Sequence, residues 1–181
     1  QDTPWTNEEV QSLYDANINE IRIDEVGSVI DELDKNEDLS YTIYQSSENN
    51  KVTGYAIPIA GKGLWGTMYG YFAIEPDAET VKGITFYKHK ETPGLGAEVD
   101  KDWFKNNFVG KKLTNKNGEL VSIEVIKGYV SDTDPDAPHK VDGISGATIT
   151  GTGLTTFLKS DLQKYEPYFA KVRSVNQIES L

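Results

Sequence analysis

Met68-Tyr69-Gly70-Tyr71-Phe72-Ala73-Ile74, then Glu75-Pro76-Asp77-Ala78, then Val81-Lys82-Gly83-Ile84-Thr85-Phe86-Tyr87 is the stretch that decides the fold. Two runs rich in aromatic and β-branched residues flank a Pro-Asp turn, which reads as two strands joined by a hairpin. The pattern extends upstream. Val52 to Ile59 reads as a further strand, with Pro58 marking an edge or strand end because proline has no N–H to give a ladder, and Tyr41 to Gln45 is a shorter strand candidate. Downstream, Val121, Ile123 and Val125 alternate as in a half-buried strand, after a turn at Asn115-Lys116-Asn117-Gly118.

Helical spacing brackets this β-rich middle. Thr6-Asn7-Glu8-Glu9 fits a capping box, and Val10, Leu13, Tyr14 and Ile18 follow it at helical intervals. Val26, Val29, Ile30 and Leu33 suggest a second short amphipathic helix within an acidic stretch, whose carboxylates read as a solvated face because they lack the spacing of a calcium loop. A helical segment after Gly96 places Val99, Trp103 and Phe104 on its apolar side, and a last helix carries Leu154, Phe157, Leu158, Leu162 and Tyr165 on one face. The fold class expected is α+β, a mostly antiparallel sheet flanked by helices. One domain is expected over 1–181, with a helical N-terminal part over 1–40 and the binding core over 41–181.

Composition narrows the functions. With 29 acidic against 18 basic residues the net charge is −11, which repels nucleic-acid phosphates and anionic membrane surfaces alike. The chain has no cysteine, so disulfides, thiolate-held clusters and cysteine nucleophiles are excluded. Its two histidines, His89 and His139, are too few for a histidine-rich metal site and make a Ser-His-Asp triad unlooked-for; His139 reads as a solvated residue of the Asp132–Pro138 loop. No segment reaches the roughly 18 apolar residues needed to span a bilayer.

Three segments carry the chemistry. Asp142-Gly143-Ile144-Ser145-Gly146-Ala147-Thr148-Ile149-Thr150 sets small residues just before a helix. Gly146 and Ala147 let the backbone approach a bulky group, and the free N–H groups and positive dipole end of the helix suit a phosphate. The Thr148 hydroxyl could touch that phosphate or be bonded to it; read without further information, the same stretch is an ordinary loop with a cap. Glu91-Thr92-Pro93-Gly94-Leu95-Gly96 is a turn, or a loop whose backbone lies against a flat ligand with Leu95 as an apolar contact. Gly61-Lys62-Gly63-Leu64-Trp65-Gly66 puts an aromatic between glycines, able to stack on a planar ring or to close the edge of the core.

Taken in order, Gly63-Leu64-Trp65, Glu91 to Gly96 and Asp142 to Thr148 resemble the FMN-binding NqrC family of the sodium-translocating NADH:quinone reductase, over a span from about Val52 to the last helix. The resemblance implies an electron-transfer flavoprotein in which Thr148 is bound to FMN by a phosphodiester, with a separate flavin transferase attaching FMN from FAD and releasing AMP. It further implies Ser145, Gly146, Ala147 and Asp142 around the attachment point, Asp142 orienting the loop or assisting the modification. Leu64, Trp65, Leu95 and Thr150 become candidate contacts of the ring or ribityl chain, beside Glu91, Thr92, Gly94 and Gly96. The implied partners are the other subunits of a membrane NADH:quinone reductase, and the implied location is the periplasmic side of a bacterial inner membrane, through a transmembrane helix expected to be missing from this chain. An RnfG-type electron-transport protein shares the signature, and a module holding FMN without a covalent bond is a further alternative.

Overall fold

The computed structural model describes residues 5–30 and 40–179. Helix α1 (Asn7–Asn17) opens with both arms of the expected capping box, the Thr6 hydroxyl oxygen accepting from the Glu9 N–H and the Glu9 carboxylate accepting from the Thr6 N–H at 2.8 Å. It buries none of its residues, so its Val10 and Leu13 stay exposed. Ile18, expected as a helical position, instead starts strand β1 (Ile18–Ile23). This corrects the reading of the N-terminal part as wholly helical: Ile21 and Ile23 alternate into the core, and tertiary burial overrides a local helical spacing.

Strands β2 (Tyr41–Glu48), β3 (Lys51–Lys62), β4 (Thr67–Ile74) and β5 (Val81–Lys88) follow, and the sheet order β1-β2-β3-β4-β5 is a simple antiparallel meander. The β2–β3 hairpin closes on Asn49-Asn50, both at positive φ (50° and 63°) between the Glu48↔Lys51 pair, the backbone that a two-residue primed turn requires. Pro58 lies inside the central strand rather than at an end. It pairs with Tyr71 of β4, while the β2 partners begin only at Tyr44↔Ala56, so the missing N–H falls where β3 is locally an edge. Two residues on, the Ala60 N–H donates to the buried Asp161 carboxylate at 2.8 Å, and a helix side chain thus takes the place of the absent strand.

The expected second helix is not formed over Asp24–Ile30. Asp24 Oδ1 accepts from the Val26 and Ser28 N–H groups, Gly27 turns at φ +70°, and Val29 bridges back to Ile23; Leu33 lies outside the described residues. After β5 the chain makes a 3-10 turn (Gly96–Asp100) and the short helix α2 (Asp102–Asn106), burying Val99 and Phe104 but leaving Trp103 exposed. The strand expected over Val121–Val125 shrinks to β6 (Glu124–Val125), paired in parallel with β7 (Lys140–Val141). Ser122 sits at φ +71° and breaks the alternation. His139 is half-buried rather than solvated, its Nδ1 bonded to the Lys112 carbonyl at 2.7 Å.

Helix α3 (Thr148–Glu179) lies across one face of the sheet. Its Leu154, Phe157, Leu158, Leu162 and Tyr165 are all buried, as read from their spacing, against the inward-facing Tyr55, Ile57 and Ile59 of β3 and their neighbours. Each such side chain contributes about 1.5–3 kcal/mol of burial. Gly61 and Gly153 set how close helix and strand come: a Cβ on Gly61 would lie 2.0 Å from the Phe157 Cβ, and one on Gly153 would lie 2.3 Å from the Lys62 carbonyl oxygen. That contact brings the first turns of α3 over the end of β3.

Candidate functional site

The loop Asp142–Ala147 is held from below by the segment after β6. Gly143 N–H donates to the Gly128 carbonyl at 2.8 Å, and Asp142 Oδ1 accepts from the Val130 N–H at 2.7 Å. Asp142 therefore organises the loop through backbone contacts. A Cβ on Gly143 would sit 2.0 Å from the Ile126 carbonyl oxygen, so only glycine lets the two segments close. Gly146 turns the chain at φ +75° with Leu95 Cδ2 at its open side. The Ala147 carbonyl then accepts from the Gly151 N–H at 3.1 Å, and Thr148 becomes the first residue inside the helix.

The hydroxyls around this start divide into two kinds. Thr150 is 1 % exposed and its Oγ1 donates to Glu91 Oε2 at 2.5 Å. Thr155 and Thr156 bond back to the Gly151 and Thr152 carbonyls, as threonines inside helices do. Thr148 is exposed, and no side-chain hydrogen bond engages its hydroxyl among the described residues.

Glu91 brings the other two segments in. Only 5 % exposed, it accepts from the Trp65 N–H through Oε1 at 2.9 Å and from Thr150 through Oε2. Gly63 and Gly96 leave the space it fills, since a Cβ on either would lie 2.6 Å from a carboxylate oxygen. Thr92 closes the intervening turn, its carbonyl accepting from the Leu95 and Ala97 N–H groups at 3.1 Å, with Gly94 at φ +73°. The three segments read from sequence therefore meet at one carboxylate. Trp65 is 64 % exposed, so it does not close the core, and Leu64 and Leu95 are exposed as well.

Thr148 lines two grooves. One, of about 450 Å³, runs between Glu124–Tyr129 and Gly143–Thr152; the other, of about 430 Å³, is walled by Lys62, Gly63, Ile149, Gly153 and Phe157. Lys62 stands in one and Lys127 in the other, and neither has an ion-pair partner among the described residues. These lysines, with exposed Ile149 and Tyr129, were not singled out from the sequence: Lys62 meets the helix start through the β3–α3 contact, whereas Lys127 and Tyr129 reach it where the segment after β6 closes on the Gly143 loop. The start of a 32-residue helix adds a partial positive charge. Positive charge and apolar surface thus lie side by side at the start of α3.

Residues 63–163 match the FMN-binding domain family. Among relatives, the chain is similar to the C subunit of the Na(+)-translocating NADH-quinone reductase of Pseudomonas aeruginosa, 40 % identical over 134 residues, covering 73 % of this chain and 51 % of that protein. It is likewise similar to the same component of the Haemophilus ducreyi reductase, 42 % identical over 129 residues, covering 70 % of this chain and 48 % of the relative. The chain thus spans about half the length of these relatives. Among solved structures, the corresponding protein from Parabacteroides distasonis superposes with a TM-score of 0.77 at 31 % identity, over 92 % of this chain and 85 % of that one. NqrC of Shewanella oneidensis superposes with a TM-score of 0.80 over 94 % and 90 % at 24 % identity, a likeness of fold. The expected α+β fold is that of these structures, and the matched span and the relatives agree: the chain belongs to the FMN-binding domain family.

Proposed function

We propose that this chain is the flavin domain of an NqrC protein, a component of a sodium-translocating NADH:quinone reductase, carrying FMN in phosphodiester linkage on Thr148. The observation that carries the reading is the state of Thr148: an exposed, uncommitted hydroxyl at the first position of a long helix, facing two grooves, while Thr150, Thr155 and Thr156 are committed elsewhere and Thr152, exposed to the same grooves, stands one turn further from the helix start. The names of the relatives favour this assignment over an RnfG-type protein.

In the attachment, the Thr148 oxygen forms a bond to the FMN phosphorus of FAD, the P–O–P bond breaks, AMP leaves, and the hydroxyl proton goes to a base of the transferase. A threonine hydroxyl is a weak nucleophile unaided, so this chain is the substrate of that step. Once bound, FMN supplies the electron-transfer chemistry. The chain's part is to hold it. Lys62, Lys127 and the N–H groups of the first helical turn offset the phosphodiester charge, Asp142 and Gly143 fix the loop, and Leu64, Trp65, Leu95 and Ile149 offer apolar surface to the ring. The partners are the remaining subunits of the complex and the transferase, and the place is the periplasmic face of a bacterial inner membrane. No helix among the described residues is long and apolar enough to cross a membrane.

The test is the intact mass, under denaturing conditions, of the chain co-produced with a flavin transferase. An FMN-sized adduct on the wild type and none on Thr148→Ala is expected. An unmodified wild type beside a transferase active on another substrate would sink the covalent reading.

A further inference from the structure

Glu91 is a buried carboxylate with no cationic partner among the described residues. Both oxygens are spent on neutral donors: Oε1 on the Trp65 N–H at 2.9 Å and Oε2 on the Thr150 hydroxyl at 2.5 Å. Its own N–H donates to His89 Nδ1 at 3.1 Å, and His89 Nε2 lies 2.8 Å from Asp100 Oδ2. Gly63 and Gly96 hold open the cage. A carboxylate is costly to bury without a counter-ion, and an amide would supply only one oxygen acceptor for the two donors. Neutral donors hold the charge in place without pairing it with a cation.

We infer that Glu91 is the positioning residue of the flavin site: it locks the Trp65 loop to the first turn of α3, and its uncancelled charge lowers the midpoint potential of the flavin carried there. The inference rests on the reading that Thr148 carries FMN. Thr150 lies two residues beyond Thr148 on the same turn, so the clamp fixes the attachment point relative to the exposed Trp65 ring without Glu91 touching the ligand. A fixed negative charge opposes the electrons that reduction adds, which sets the sign.

Two measurements test it. In the flavin-free chain, amide hydrogen exchange at Trp65 reports the clamp alone. Glu91→Ala is expected to speed exchange there on the order of tenfold to a hundredfold, as the loss of a hydrogen bond to a charged group does, and Glu91→Gln less. In the flavinylated chain, a redox titration of Glu91→Gln is expected to show a higher midpoint potential than wild type with the mass adduct intact. Unchanged Trp65 exchange in Glu91→Ala overturns the clamp; should that variant not fold, unchanged exchange in Glu91→Gln does so. A potential unchanged or lowered in Glu91→Gln overturns the electrostatic role. If the wild type takes up no flavin, the function proposed above fails, and the exchange measurement still decides the clamp.

Discussion

Replacing Gly153 with alanine tests whether the β3–α3 contact is as tight as the structure shows. Gly153 sits inside α3, where alanine alone would stabilise a helix by up to about 1 kcal/mol. The added Cβ, however, would lie 2.3 Å from the Lys62 carbonyl oxygen and 3.5 Å from the Gly63 Cα. A comfortable carbon-to-oxygen contact is about 3.3 Å, so helix and strand must part by on the order of 1 Å. The obstacle is backbone, which has no rotamer to change, and the retreat loosens Phe157 and Leu158 against the sheet. Overpacking of this kind costs about 1–3 kcal/mol and the retreat adds to it, so the expected net destabilisation is about 2 kcal/mol. In a chain of this size that is a fall in Tm of about 4–8 °C. The assay is urea unfolding followed by far-ultraviolet circular dichroism, with thermal melts beside it. Gly83→Ala is the control: nothing lies within 4 Å of its added Cβ, and in strand β5 it should gain about 0.5–1 kcal/mol. A Gly153→Ala chain as stable as wild type, or more so, would refute the packing argument.

Asp161→Ala should cost about 1–3 kcal/mol, because it leaves the Ala60 N–H without the acceptor that stands in for a strand; Asp161→Asn keeps an acceptor oxygen and should recover most of it, and equal losses in both variants would contradict this. Burial, with the nearby Asp161 charge second, pushes the Tyr165 phenol above its ordinary value. Its contribution to stability is full below the ordinary tyrosine range and is lost as the pH rises through the folded value, so Tyr165→Phe should unfold at a urea midpoint that falls less between pH 8 and pH 11 than wild type. Burial raises the Asp77 carboxyl, but hydrogen bonds from Thr80 and Glu79 and the Lys112 ammonium outweigh it and hold the group below its ordinary value. Its stabilisation is present above the ordinary carboxylate range and is lost as the pH falls through the folded value. Asp77→Asn should therefore flatten the acid limb of a stability–pH profile, and an unchanged limb would exclude the assignment.

Where the sequence was decisive, the signal was local. Residues 68–87 announce two strands and their turn because period-two burial and turn chemistry are both written within a few residues. The Thr6 cap and the buried face of α3 were legible for the same reason, and the small residues before Thr148 marked a loop that could bring backbone close to a ligand. Tertiary structure decided the rest. Ile18 carries a helical spacing yet opens β1, because pairing with β2 and burial outweigh a weak local preference. Ser122 ended a strand that alternation suggested. The site itself was decided at long range: Trp65 and Thr150 stand 26 and 59 residues from Glu91 along the chain, and no window of sequence contains the three together. Lys62 became its lining only when Gly61 and Gly153 let β3 and α3 approach, and Lys127 only when Gly143 let its loop close on the segment after β6. Periodicity tells which face a residue takes on its own element; which residues share a cavity is set by how those elements pack.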